Sequence, residues 1–167
     1  MFGVNVRLPL TLMLTVALGV ILVHSPAHAD DVDAVPVRID PSLIGGRGLD
    51  KFAPWPAQIV MSGGDPEHKL TEVFSGEFVT GIYQSKATKL AVKNPWPFDE
   101  YLMILSGELH LTDATGTTQI FPTGSNLVVP RGFTGVWEMK GDLYRELYII
   151  ETAAYAKSQE PGGLLGE

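Results

Sequence analysis

From residue 53 onward, short apolar runs alternate with turn-forming residues at a spacing of about ten residues. Such spacing is typical of an antiparallel sandwich or barrel. Asp113–Gly116, which lies between two of the runs, has the composition of a hairpin turn. The pattern therefore predicts one all-β domain. Its runs are Gln58–Met61, Phe78–Tyr83, Lys89–Val92, Glu100–Leu105, Glu108–Thr112, Thr118–Phe121, Leu127–Val129, Thr134–Met139 and Leu143–Glu151.

Two of these runs, Glu100–Leu105 and Leu143–Glu151, carry apolar residues at both odd and even positions. Alternate side chains of a strand point to opposite faces of the sheet. Both faces of these strands are therefore expected to be covered. One face lines the barrel, and the other meets a second sheet, the N-terminal segment or another subunit.

The composition divides the chain into four parts: a signal peptide at 1–29, an arm at 30–52, a barrel at 53–152, and a short helix with a flexible tail at 153–167. The arm is polar and rich in glycine and proline, and its glycine cluster is interpreted as a turn. The helix is predicted over Thr152–Gln159, and Pro161–Gly163 ends it.

The first residues have the features of a secretory signal. Arg7 is followed by the apolar run Leu8–Val23, and the small residues Ala27 and Ala29 lie where cleavage requires them. An uncleaved membrane anchor is the alternative, although this run is shorter than the ~20 residues that span a bilayer. We therefore expect a bacterial protein exported to the periplasm, or secreted, with no membrane partner after cleavage.

Charge and composition exclude several classes of function. The chain has 167 residues, no cysteine and a net charge of −7. Absent cysteine excludes disulfides, thiolate metal sites and a cysteine nucleophile. The acidic balance argues against a nucleic-acid partner, because neutralising phosphates requires clustered Lys and Arg. After cleavage only His68 and His110 remain, and each is interpreted as a surface or hydrogen-bonded imidazole.

Two motifs in the barrel region have a characteristic spacing. Six residues separate Glu100 from Gly107; five residues separate Gly124 from Pro130, and one more precedes Gly132. In this order, joined by one hairpin, they resemble the two motifs of the cupin superfamily. The resemblance implies a double-stranded β-helix, or jelly-roll barrel, with the Glu100 side chain inside.

A closer resemblance, over about residues 75–151, is to the cupin subfamily named after (S)-ureidoglycine aminohydrolase. Four segments carry it: Tyr83–Lys86, Pro97–Glu100, Leu111–Asp113 and Pro130–Glu138. It implies ureide or amidohydrolase-like chemistry, which depends on a metal in that subfamily.

The metal ligands implied by the resemblance are mostly missing. Most metal-binding cupins use three histidines and one glutamate, and only Glu100 survives here. The histidine pair is expected at positions 93 and 95 or 94 and 96, and the third at Gly135; none of these is a histidine. Tight transition-metal sites need several such ligands together. We therefore expect no metal and no other cofactor.

Glu100 is the candidate catalytic residue. A buried carboxyl has a raised pKa and can act as a general acid or base. Its alternative is a structural carboxylate paired with Lys or Arg. Lys93 stands where a metal cupin carries histidine, and we expect it to form an internal ion pair with Glu100 in place of the metal.

The candidate ligand-binding residues are aromatic or cationic. Tyr83, Trp96 and Trp137 provide walls that suit a small planar or sugar-like ligand, with core packing as the alternative. Arg131 and Lys93 are candidates for holding a carboxylate or phosphate, with solvated side chains as the alternative.

Three functions remain open. The first is a metal-free exported cupin that binds a small polar or carboxylate-bearing molecule. The second is an enzyme, either a metal-independent lyase or isomerase or a ureidoglycine aminohydrolase-like enzyme, with Glu100 as acid/base. The third is a structural dimeric β-barrel without a ligand. A homodimer is compatible with all three.

Overall fold

The computed structural model describes residues 35–65 and 67–160, and these contain eight strands and two short helices. All of these elements belong to one compact unit that begins at Val37. They are α1 (Pro41–Ile44), β1 (Val60–Gly63), β2 (Lys69–Ser75), β3 (Phe78–Ser85), β4 (Thr88–Val92), β5 (Glu100–Asp113), β6 (Thr118–Pro122), β7 (Asn126–Val129), β8 (Gly135–Glu151) and α2 (Thr152–Ser158). This mostly-β architecture confirms the predicted fold class.

The 17-residue strand β8 connects the two parts of the sheet. Along one edge its residues 135–139 pair with β4 and its residues 144–151 pair with β3. Along the other edge it pairs with β5, which also pairs with β6 and β7. Every pairing is antiparallel. The result is a jelly-roll barrel whose interior is lined largely by β8 and its neighbours.

The inward-facing positions change parity halfway along β5 and β8. On β8 the buried positions are 137 and 139, and then 144, 146, 148 and 150; on β5 they are 100, 102 and 104, and then 109 and 111. Each change needs an extra residue, and the β5–β8 register shifts on both sides of Ser106. The sequence analysis divided each long strand into two at this irregularity, because apolar periodicity breaks where a bulge occurs.

Glycines at the bulge explain one of the two sequence motifs. Gly107 has φ +76°, and a Cβ there would lie 2.3 Å from the Lys140 carbonyl oxygen. Gly141, at the matching irregularity of β8, has φ +107° and faces Gly107. Only glycine allows both the left-handed backbone and this close approach of two strands. The glycine six residues after Glu100 therefore has a structural role.

Residues 40–50 of the N-terminal arm contact side chains of β2, β3 and β8 on the outer face of the sheet. Asp40 caps the short helix α1 by accepting a hydrogen bond from the Ser42 amide. The Ile44 carbonyl accepts one from Arg145 of β8, and the Asp50 amide donates to Thr71 of β2. The arm thus covers part of the outer face that the sequence predicted to need a cover. Helix α1 itself was not predicted, because four residues carry too little periodicity.

Both chain ends bear on the sequence predictions. Helix α2 was predicted one residue too long, and it begins where Glu151 accepts a hydrogen bond from the Ala154 amide. The predicted signal peptide and the tail after residue 160 lie outside the described residues. Among the helices described, none is long and apolar enough to cross a membrane.

The substitution Gly107→Ala tests the bulge. We expect it to lower the free energy of unfolding by at least about 2 kcal/mol more than Gly116→Ala, measured by urea denaturation. Gly116 is the matched control, since it also has positive φ, +88°, but a Cβ there meets nothing within 4 Å. Equal losses for the two variants would show that the close approach to Lys140 does not constrain the fold.

Candidate ligand-binding site

A cavity of about 60 Å³ lies inside the barrel. Strands β3, β4, β5 and β8, helix α2 and the segment before β1 all contribute to its lining, which is mostly apolar and aromatic. All three tryptophans of the chain line it: Trp55, Trp96 and Trp137. Its polar side chains are those of Glu100, Glu146, Tyr83, Tyr148 and Tyr155.

The strand register brings the polar residues to one wall. Tyr83 of β3 lies opposite Glu146 of β8, and Tyr148 is the next inward residue along β8. Glu100 of β5 lies opposite Ile150, the inward residue after Tyr148. Along β8, Tyr148 therefore lies between Glu146 and Ile150, the residue that pairs with Glu100. Its ring has room because Gly81 lies opposite, where a Cβ would be 2.5 Å from the Tyr148 hydroxyl oxygen.

Glu100 points into the barrel, as the sequence analysis expected. It is 6% exposed, and Trp96 Nε1 donates a hydrogen bond to its Oε2 over 3.0 Å. Burial, and secondly the charge of Glu146, raise the pKa of Glu100 well above its usual value. The hydrogen bond from Trp96 opposes this rise, but it does not outweigh burial in an apolar wall.

Glu146 is a second buried carboxyl, also 6% exposed, that the sequence analysis missed. The Tyr144 hydroxyl donates a hydrogen bond to Glu146 Oε2. Burial raises the pKa of Glu146 to about 7, and the bond from Tyr144 lowers it in part. The available signal was a charged residue in a strand otherwise apolar on both faces; it did not reveal which face Glu146 occupies.

The two carboxyls therefore behave as a coupled pair. Both carboxyls are buried and line the same cavity, and the charge of Glu146 further raises the pKa of Glu100, so ionisation of one disfavours ionisation of the other. No Lys, Arg or His lies among the described residues that line the cavity. The pair has the raised pKa values that general acid–base chemistry requires.

Tyr83 is held by a hydrogen-bond network behind the cavity. Trp55 Nε1 donates to the Tyr83 hydroxyl oxygen over 2.9 Å, and that hydroxyl lies 3.2 Å from His68 Nδ1. His68 Nε2 bonds the Ala53 carbonyl, which fixes Nε2 as the protonated nitrogen and Nδ1 as the acceptor. Burial lowers the pKa of His68 and so keeps it neutral. His68 is thus the hydrogen-bonded imidazole that the sequence predicted.

Trp96 and Trp137 form a stacked pair in the wall. Their ring centroids lie 5.0 Å apart with an interplanar angle of 29°. Both are buried, so Trp96 lies inside the barrel rather than at a rim. Its place is fixed by its bond to Glu100 and by backbone hydrogen bonds to Gly132 and Phe133.

The predicted cationic residues lie elsewhere. Lys93 and Arg131 are exposed, and neither lines the cavity. The expected ion pair between Lys93 and Glu100 is therefore wrong: the loop after β4 carries Lys93 into solvent, and Trp96 takes the place beside Glu100. The Arg131 amide donates to Asp99. His110 Nε2 lies 2.9 Å from Glu108 Oε2, so His110 is the hydrogen-bonded imidazole that the sequence predicted.

The Tyr148 hydroxyl stands apart from these bonded groups. Tyr148 is 2% exposed and lines the cavity, and apart from an interaction with the Tyr155 hydroxyl its own hydroxyl makes no hydrogen bond among the described residues. Its ring stacks on Tyr155 of α2, with centroids 6.3 Å apart. Within residues 35–65 and 67–160, no three His, Cys, Asp or Glu side chains group closely enough to hold a metal ion.

Comparison with known proteins supports the cupin assignment. Residues 72–148 match the profile of the EutQ-like cupin domain. The match covers less than half of the chain, and it makes these residues similar to a EutQ-like cupin domain, in agreement with the cupin fold expected from the sequence. The finer resemblance to ureidoglycine aminohydrolases stays a prediction. A search of the curated proteins finds no match to this chain.

The chain is similar to solved structures at low identity, and one of them, with a TM-score above 0.5, shares its fold. A protein of unknown function from Pseudomonas syringae pv. tomato, of the DUF861 family, has a TM-score of 0.55 and 19% identity over 61% of this chain and 43% of its own. A putative ethanolamine utilization protein Q from Salmonella typhimurium LT2 has a TM-score of 0.44 and 24% identity over 52% and 70%. The EutQ protein of Clostridium difficile has a TM-score of 0.46 and 20% identity, over 56% of this chain and 68% of its own. This chain thus spans less than half the length of the first.

The raised pKa of Glu146 predicts a specific dependence of stability on pH. The unfolded carboxyl ionises near pH 4.5, whereas the buried one keeps its proton up to about pH 7. The folded state thus binds more protons between these values, and stability falls as the pH rises through them. We expect unfolding experiments to show a loss of on the order of 2 kcal/mol between pH 5 and pH 8 that Glu146→Gln lacks.

The matched control is Glu77→Gln, which changes an exposed carboxyl and should keep the wild-type dependence. His68 contributes equally to all three proteins, so the difference between them reports Glu146 together with the part of the raised Glu100 pKa that depends on the Glu146 charge. Parallel pH profiles for the wild type and Glu146→Gln would contradict the burial of this carboxyl as a protonated group.

Proposed function

Given the similarity of residues 72–148 to a EutQ-like cupin domain, we propose that the chain binds a small molecule inside its barrel. The observation that carries this proposal is the aromatic cavity of about 60 Å³ with two buried carboxyls in its wall. Small-molecule sites are concave and mostly apolar, with a few convergent polar groups. A barrel filled by its own side chains would favour the purely structural alternative, and the cavity argues against that.

The polarity of the wall bears on the kind of ligand. The sequence analysis expected a small polar or carboxylate-bearing molecule. A ligand carboxylate would lie against Glu100 and Glu146, and no cationic side chain lines the described part of the cavity to offset the repulsion. Lys93 and Arg131 lie outside it. The proposal is therefore narrowed to a small polar ligand that is not an anion.

A second candidate function is acid–base catalysis without a metal, as in a lyase or isomerase or a ureidoglycine aminohydrolase-like enzyme. The observation that favours it is that two buried carboxyls, Glu100 and Glu146, line the same cavity, because one of them can donate a proton while the other accepts one. A substrate that the Glu100→Gln variant converts at the wild-type rate would contradict it. Export to the periplasm and homodimerisation also remain proposals from the sequence.

The binding proposal predicts a change in tryptophan fluorescence, because all three tryptophans line the cavity. We expect that 1-propanol or propylamine, titrated to millimolar concentrations, saturates such a change. Probes of four heavy atoms bind with at most ~6 kcal/mol, which limits the expected Kd to tens of micromolar or weaker. Ligand-detected NMR should give the same Kd.

Val92→Phe provides the test of location, since Val92 is buried and lines the cavity. The added ring should fill the space and abolish saturation, while Val128→Phe on the exposed outer face should leave it unchanged. Circular dichroism confirms folding of both variants, and Leu70→Phe replaces Val92→Phe if the latter does not fold. Identical titrations of the cavity variant and the wild type, or no binding of either probe, would contradict the proposal.

A further inference from the structure

We propose that the ligand presents a small organic ammonium group, which occupies the cavity between Glu100, Glu146 and the Tyr148 hydroxyl. This inference rests on the proposed function, because it names the chemical class that the cavity binds. It is carried by the charge of the wall, by its aromatic faces and by a buried hydroxyl oxygen that can accept a hydrogen bond.

The charge of the wall is uncompensated by this chain. Glu100 and Glu146 each accept one hydrogen bond among the described residues, from Trp96 and Tyr144 respectively. Neither carboxyl has a salt bridge there, and no Lys, Arg or His lines the cavity. An ionised buried carboxylate is costly unless it is paired. A bound ligand cation supplies the missing partner. When no ligand is bound, protons on the carboxyls neutralise their charge instead.

The aromatic faces suit a cation that carries a short apolar group. Trp96 and Trp137 stack beside Glu100, and Tyr148 and Tyr155 form a second stacked pair that lines the same cavity. Cations are attracted to the faces of Trp and Tyr rings, more strongly where water is excluded. An alkyl group packs against the remaining aliphatic wall of Leu90, Val92 and Ile150. The cavity therefore combines carboxylates for the charge with an apolar wall for the substituent.

The Tyr148 hydroxyl is the independent observation that indicates a ligand. It is buried and lines the cavity, and apart from its interaction with the Tyr155 hydroxyl it makes no hydrogen bond among the described residues, so its oxygen can accept one from a ligand. It lies on β8 between the row of Glu146 and the row of Glu100. A primary ammonium has three N–H donors, and the wall offers three acceptors: two carboxylates and this oxygen. A buried acceptor of this kind is stabilised by a donor, and the ammonium provides one.

The titratable groups around the pair determine how binding depends on pH. Tyr83 faces the pair from β3, Tyr144 and Tyr148 from β8, and Tyr155 from α2; His68 lies behind Tyr83. Burial raises the pKa of each of these tyrosines, so they stay protonated near neutral pH. The carboxyls alone then release protons when a cation binds. Affinity for an ammonium should therefore rise with pH, while affinity for a neutral isostere should not.

The test compares propylamine with 1-propanol, which have the same size and differ in charge. Tryptophan fluorescence and ligand-detected NMR on the full chain give the Kd of each probe at pH 6 and pH 8. At pH 8 we expect propylamine to bind about tenfold more tightly than 1-propanol. We expect the affinity for propylamine itself to be about fivefold weaker at pH 6 than at pH 8. Binding of 1-propanol should change less than twofold over this range, and propionate should not bind.

Three variants separate the ammonium site from the cavity itself. Glu146→Gln and Glu100→Gln should reduce the preference for propylamine to less than about threefold and keep 1-propanol binding. Tyr148→Phe should weaken the binding of propylamine severalfold. This variant replaces a carboxyl variant that does not fold. The exposed Glu77→Gln is the matched control and should behave as the wild type.

Two results would overturn the ammonium proposal while leaving the proposed function intact. One is equal affinity of the wild type for 1-propanol and propylamine at both pH values. The other is displacement of propylamine by Mg²⁺ or Zn²⁺ alone, which would identify a metal site instead. Failure of every probe to bind would contradict the proposed function itself, and the inference with it.

Discussion

The pairing of β5 with β8 places two carboxyl groups inside an apolar barrel, and the cavity depends on it. Both strands run nearly the full length of the sheet, and matching glycines at 107 and 141 let them change inward parity at the same point. Glu100 precedes this point on β5, and Glu146 follows it on β8. Residues 100–104 of β5 pair with residues 146–150 of β8 without irregularity, and this register decides that both carboxyls face inward rather than one facing solvent.

Burial of both groups without a cationic partner governs the chemistry of the wall. Trp96 donates one hydrogen bond to Glu100, and Tyr144 donates one to Glu146. These bonds satisfy one oxygen of each carboxyl but bring no positive charge. The pair therefore keeps protons near neutral pH, and it can exchange them for a bound cation or pass them to a substrate. Binding and catalysis thus use the same physical property, and they differ in whether the ligand reacts.

The barrel and the position of Glu100 could be predicted from the sequence, because turn spacing and the two glycine motifs are local signals. Glu146 could not, since β8 is apolar on both faces and only the pairing register shows which residues point inward. The expected partnership of Lys93 with Glu100 was wrong for a related reason. Position in a motif does not fix the direction of a side chain in a loop, and the indole of Trp96 occupies that place.

The most direct measurement of the central claim is the titration of the glutamate side-chain carboxyl carbons by ¹³C NMR in the ligand-free protein. The account predicts that the resonance of Glu146, assigned from the Glu146→Gln variant, titrates near pH 7, and that removing its charge in this variant lowers the pKa of Glu100. Titration of every glutamate near pH 4.5, the ordinary value, would contradict it. In that case the two carboxyls are solvated or paired in solution, and the cavity does not have the charge on which its proposed ligand depends.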